Sequence, residues 1–203
     1  MYKIITIGRE FGSGGRELGR RLSEKLQIAY YDQEIVTEIS KRTSLSEDYV
    51  QQIIERRPIM PFPIHTGHSF YPAFNPVFQQ TSSVYMEQHK LLREFSEKSD
   101  CVIVGRCADY ILREKNPFRI FVYADMEWKL KRCLEKEPEE GGLSEQEMKK
   151  NISAIDRNRA KYYEFYSGQV WGERKNYNLM VNTTCTAIEN TAVAVSRYLE
   201  RLI

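Results

Sequence analysis

A parallel α/β sheet of five strands with helices on both faces is the fold class this sequence predicts, on three observations. Short apolar, β-rich runs alternate five times with stretches of helical periodicity. The first run, "KIITIG", ends in the glycine-rich turn "FGSGGRE", and a helical pattern follows at once. The apolar runs are nearly continuous, as expected of strands buried on both faces.

The elements follow in order. After "KIITIG", the stretch "RELGRRLSEKL" sets Leu18, Leu22 and Leu26 at helical spacing. "IAYYD" (Ile28–Asp32) reads as a second strand. "QEIVTEISKRT" and "SEDYVQQIIERR" read as two helices, with Ser46 before Glu47 and Asp48 as a helix start. Residues 58–76 hold five prolines and no Asp, Glu, Lys or Arg. They read as a long loop, either a flap over a site or a packed surface loop. A long helix follows over "VFQQTSSVYMEQHKLLREFSEKS". "CVIVGR" is the third strand and "FRIFVYAD" the fourth. "MEWKLKRCLEKE" is a helix broken by "PEEGG", and a long helix runs through "SEQEMKKNISAIDRNRAKYYEFYSG". "YNLMVNTT" is the fifth strand, and "IENTAVAVSRYLERL" closes the chain.

Composition bounds the function. The 203 residues suit one domain with a sizeable core, and 41% hydrophobic with 29% charged residues describes a globular chain. A formal net charge of +2 argues against nucleic-acid binding driven by bulk charge. Aromatic and basic residues do not interleave as a single-strand platform requires. Cys101, Cys107, Cys133 and Cys185 form no CxxC pair, so free thiols in a reducing compartment are expected. His65, His68 and His89 have no metal-ligand company. No signal region precedes the first strand and no apolar run approaches ~18 residues, so a cytoplasmic protein without a membrane partner is expected. The helix near 77–98 and the closing helix are candidate homodimer faces, although burial within one chain explains both equally well.

In parallel sheets ligands sit at the carboxyl ends of the strands. Gly12–Arg16 follow strand one, Asp32 follows strand two, and Gly105–Arg106 follow strand three. A phosphate-binding loop of the form GxxxxGK[ST] points backbone N–H groups at phosphate oxygens and adds the positive end of a helix. Gly12, Ser13, Gly14 and Gly15 keep the cradle, but Gly15 stands where the lysine belongs, followed by Arg16 and Glu17. Three readings stay open. Arg16 replaces the lysine, since guanidinium binds phosphate well. Glu17 holds Mg²⁺ in place of the hydroxyl. Or the loop is only a tight strand-to-helix turn.

The order "ITIGREFGSGGRELG", "YYDQEIV", "VIVGRCADYIL", "IFVYAD", "IDRNRAKYY" and "YNLMVNTT" resembles the cytidylate kinase-like family of P-loop proteins over nearly the whole chain. The resemblance implies a nucleoside-monophosphate-kinase fold, with an acceptor-binding insertion over 33–95 and a lid over 128–160. It implies ATP and Mg²⁺ as cofactors and small nucleotides as substrates, CMP or dCMP first. It places Arg106 on the acceptor phosphate, Asp156 on the acceptor sugar and Arg159 on a phosphate. Lys129 and Arg132 open the lid over the ATP phosphates, and Asp32 begins the acceptor-binding insertion. Two positions depart from the family pattern. Cys107 replaces an aspartate whose task falls to Asp109 or Glu17 if it is kept, and Ile152 replaces an arginine.

The same residues have plainer readings. Asp156 and Arg159 at i and i+3 suit a surface ion pair. Lys129 and Arg132 suit a solvated helix face, and Tyr162, Tyr163, Phe165, Tyr166 and Trp171 suit packing. The leading expectation is an enzyme that moves a phosphoryl group from ATP. Its alternatives are a nucleotide-binding regulator without turnover, or a kinase with another small acceptor.

Overall fold

Apolar residues on both faces of each strand drive this chain into a sheet packed between two helical layers. The computed structural model describes residues 3–55, 76–136 and 142–202. β1 (Ile4–Arg9), β2 (Ala29–Tyr31), β3 (Cys101–Val104), β4 (Phe118–Tyr123) and β5 (Leu179–Asn182) form one sheet in the order β2-β3-β1-β4-β5. Every pairing is parallel, so all carboxyl ends reach one edge. This is the expected five-stranded parallel sheet.

Successive side chains alternate between faces. Ile5, Ile7, Val102, Val104, Ile120 and Val122 meet Leu18 and Leu22 of α1 (Gly15–Leu26) and Ala192, Val195 and Leu199 of α8 (Ile188–Leu202). Ile4, Cys101 and Ile103 face the other layer. There they meet Ile35 and Ile39 of α2 (Gln33–Thr43), Val50 of α3 (Glu47–Glu55) and Leu91 of α4 (Pro76–Lys98). Ala108 and Ile111 of α5 (Ala108–Ile111) and Tyr162 of α7 (Glu145–Ser167) join them. Each fully buried Leu or Ile stabilises the fold by roughly 1.5–3 kcal/mol relative to exposure.

Helix ends follow local chemistry. Ser46 opens α3 as read from sequence, accepting the Tyr49 N–H at 3.3 Å. Ser144 and Glu147 form a reciprocal capping box at the start of α7, which ends at Gly168 with φ 67°. β2 is shorter than Ile28–Asp32, because it is an edge strand paired only with β3, and Asp32 turns away to cap position before α2. β5 ends at Asn182; the Thr183 N–H still donates to the Tyr123 carbonyl of β4 at 2.9 Å, and the Thr183 hydroxyl donates to the Ser13 carbonyl at 2.7 Å, tying this strand end to the glycine-rich loop. Residues 58–75, read as a flap, lie outside the described residues together with His65 and His68. Pro76 opens α4.

Candidate active site

The glycine-rich loop joins β1 to α1 at the carboxyl edge of the central strand. Gly14 sits in the left-handed region at φ 79°, and an added Cβ would come 2.8 Å from Ile188 Cγ1. Backbone conformation and the packing of α8 therefore both require glycine there. No side chain caps the start of α1, so its first-turn N–H groups are presented with the positive end of the helix dipole. Ser13 is buried and its hydroxyl donates back to the Glu10 carbonyl at 2.8 Å, so it shapes the loop. Arg16 Nε lies 2.5 Å from Asp32 Oδ2, tying α1 to the start of α2 while most of the Arg16 side chain stays exposed. Glu17 accepts from Arg21 Nε at 2.8 Å.

A second group covers the loop from α6 (Met126–Leu134) and α7. Lys129 Nζ donates to Glu10 Oε2 at 3.1 Å and to Asp156 Oδ2 at 2.9 Å. The other Asp156 oxygen accepts the Phe11 N–H at 2.6 Å. Burial works against the Lys129 ammonium, but the Asp156 and Glu10 carboxylates outweigh it and hold its pKa above the ordinary lysine value. Lys129 is thus the centre of a buried latch and not a solvated helix face. Asp156 turns to Phe11 and Lys129, away from the surface pairing with Arg159 that its spacing suggested. Arg132 donates to the Thr183 carbonyl at 2.5 Å and the Thr186 carbonyl at 3.2 Å, fastening the β5–α8 connection beside the loop.

The third group lies past β3. Gly105, Arg106 and Cys107 have φ of 72°, 59° and 52°, three consecutive left-handed residues of which two carry side chains. Such strain persists where the surroundings over-determine it, commonly at functional sites. Here Gln88 Nε2 donates to the Arg106 carbonyl at 2.9 Å, and Arg106 Nη2 donates to Gln51 Oε1 at 3.1 Å. The turn opens into a cavity bordered by Arg9, Arg106, Arg159, Asp109, Tyr163 and Trp171. Cations and aromatic rings therefore share one space.

Asp109 is the buried acid of that cavity. Burial raises its pKa, against the Tyr163 hydroxyl that donates to Oδ2 at 2.7 Å. Over the window from the ordinary carboxylate value of 3.8 up to the raised value, the folded state keeps a proton the unfolded chain has lost. Stability should therefore fall as pH rises through that window. Asp109→Asn keeps an acceptor for Tyr163 and removes the titration. Urea unfolding from about pH 4 to about pH 8 should show the fall in the native protein and a shallower slope in the variant.

Sequence reasoning placed Arg106, Asp32 and the loop at one edge, and the structure brings them together with Arg159. It missed Arg9, Glu10 and Gln51. Arg9 carried a readable signal: β1 ends in Gly8-Arg9 just as β3 is followed by Gly105-Arg106.

A parallel sheet with a glycine-rich loop after its central strand, a helical cover and an arginine-lined cavity defines a P-loop kinase fold. The sequence matches the profile of the cytidylate kinase-like family over residues 4–185, and the chain belongs to that family. No protein among curated sequences matches it. An uncharacterised protein from Eubacterium ventriosum is similar in structure, with a TM-score of 0.70, 25% identity and 98% of each chain covered. A shikimate kinase from Bacteroides thetaiotaomicron shares the fold at a TM-score of 0.59 and 15% identity, with 98% of each chain covered. A shikimate kinase from Acinetobacter baumannii, solved with shikimate, does so at 0.55 and 14%, covering 99% of this chain and 94% of that one. Among the described residues no helix is long and apolar enough to cross a membrane.

Proposed function

We propose that this protein transfers the terminal phosphoryl group of ATP to a small anionic acceptor that carries a ring, with CMP or dCMP as the first candidates. One observation carries the reading. The uncapped start of α1 lies at the same sheet edge as a cavity that combines arginines with tyrosine and tryptophan rings. Phosphoryl transfer asks for positioning and positive charge more than for covalent chemistry from the protein. The first-turn N–H groups of α1 would hold the donor phosphates, and Arg106 and Arg159 the acceptor's anion. Tyr163 and Trp171 would flank its ring, and Asp109 would meet a polar edge.

Mg²⁺ usually takes one or two carboxylates and completes its shell with phosphate and water. Asp32 fits that demand: it is buried, and its Oδ1 has no hydrogen-bond partner among the described residues. Glu17, on the loop itself, is the second candidate. When bound, the ion would neutralise phosphate charge, while Arg16 holds Asp32 in place.

The latch supports a second reading. Asp156 occupies the Phe11 N–H, a donor of the loop, so the protein could bind nucleotide as a regulator without turnover. The test is calorimetric titration with ATP·Mg²⁺ followed by an ADP-release assay over nucleoside monophosphates, nucleosides and other small acids. Binding with release for one acceptor supports the kinase and names its substrate. Binding without release for every acceptor supports the regulator. No binding refutes both.

A further inference from the structure

Two departures from the phosphate-loop pattern are one change. In GxxxxGK[ST] a glycine opens the loop and a lysine closes it. Here Arg9 stands at the first of these positions and Gly15 at the second, so glycine and cation have exchanged places. The structure shows why they go together. A Cβ built on Gly15 would overlap Arg9 Cβ and come 3.0 Å from Arg9 Cγ. A lysine at 15 would therefore begin inside the aliphatic stem of Arg9. The Arg9 stem thus occupies the space in which a side chain at position 15 would start.

The far end of Arg9 is unusual. The residue is 8% exposed, and among the described residues its guanidinium donates no hydrogen bond and forms no ion pair. It lies across Gly105, where an added Cβ would come 2.9 Å from Arg9 Cζ, and it borders the cavity with Arg106 and Arg159. Burial lowers its pKa well below the ordinary value, and Arg159, Arg106 and Arg16 push the same way, against Asp32. A buried cation among cations is costly unless an anion completes it.

We propose that Arg9 is the catalytic cation of a swapped phosphate loop, contacting the terminal phosphoryl group of the donor from the end of β1 in place of the missing lysine. This rests on the kinase reading above. The transferred phosphorus loses its bond to the ADP oxygen, which departs with that bond's electron pair, and gains one to the acceptor oxygen; with CMP or dCMP that oxygen is an already anionic phosphate oxygen, whereas a hydroxyl acceptor would give up its proton to solvent. Arg9 forms no covalent bond and stabilises the charge on the equatorial oxygens. Its place between the loop and Gly105 puts it where donor and acceptor meet. Arg16 then keeps Asp32 in position from the outside.

The experiment measures dissociation constants for ATP·Mg²⁺ and ADP·Mg²⁺, and melting temperatures without ligand. It uses the native protein, Arg9→Met, Gly15→Lys and the double variant Arg9→Gly/Gly15→Lys. Arg9→Met should lose ~30-fold in ATP affinity while ADP affinity changes less than about threefold, as loss of a charge-assisted contact to one phosphate requires. Its melting temperature should hold or rise, because an uncompensated buried cation has gone. Gly15→Lys alone should bind ATP poorly, and the double variant should recover affinity to within about tenfold of native by restoring the ordinary arrangement. ATP binding by Arg9→Met equal to native overturns the assignment and leaves the kinase reading intact. If Arg9→Met does not fold, failure of the double variant to bind ATP more tightly than Gly15→Lys overturns it. A native protein that binds neither nucleotide removes the kinase reading itself, and this proposal with it.

Discussion

Replacing Arg106 with alanine should raise the acceptor KM by on the order of 100-fold while ATP affinity stays within about threefold. The asymmetry follows from where Arg106 sits. It follows β3 and borders the ring-lined cavity, and its guanidinium is fixed by Gln51 of α3 at 3.1 Å. Its backbone is held in the left-handed region by Gln88 of α4. Helices between β2 and β3 thus aim a buried fork into the cavity before any acceptor arrives, and such preorganisation is what makes one guanidinium worth several kcal/mol against an anion. Arg106→Lys should recover little, since an ammonium cannot make the planar two-point contact. Steady-state kinetics with the best acceptor, beside ATP calorimetry, reads both quantities. A loss of ATP affinity with unchanged acceptor KM would place Arg106 on the donor side and refute its role.

Much of this site could be read before folding, because parallel sheets collect their polar chemistry at one edge. Any apolar strand followed by a charged residue, directly as at Asp32 or after a glycine as at Arg106, therefore points to that edge. The rule found Asp32 and Arg106. It covers Arg9 too, which follows Gly8 at the end of β1 directly before the glycine-rich turn. Gly15 by itself reads as a loss, because the nearest cation in sequence is Arg16. Its replacement is six residues upstream and becomes a neighbour only when the loop folds back. The latch was illegible for a similar reason. Lys129 and Asp156 are on separate helices joined to Glu10 over long separations, and each looks like an ordinary surface charge in its own helix. The start of α3 was easier, since Ser46 acts on a residue three positions away.

Asp156 is where sequence resemblance and structure can be set against each other by one substitution. If its work is to hold the acceptor sugar, Asp156→Ala should raise the acceptor KM and leave stability nearly unchanged. The structure argues for a different balance. Its two oxygens bind the Phe11 N–H at 2.6 Å and Lys129 Nζ at 2.9 Å, and the Lys129 side chain is only 7% exposed. Removing one partner of a buried ion pair leaves the other desolvated, at about 3–5 kcal/mol when no partner remains. Glu10 stays 3.1 Å from Lys129, so the expected loss is smaller, roughly 2–3 kcal/mol. The midpoint of urea unfolding should drop accordingly, with little change in slope. The same substitution frees the Phe11 N–H, so the fall should shrink when ATP·Mg²⁺ is present. A destabilised variant that regains stability with nucleotide would make Asp156 a closure residue of the helical cover, set in competition with the donor phosphates. Unchanged stability would return it to the acceptor, and the latch would then be a packing feature of no functional weight.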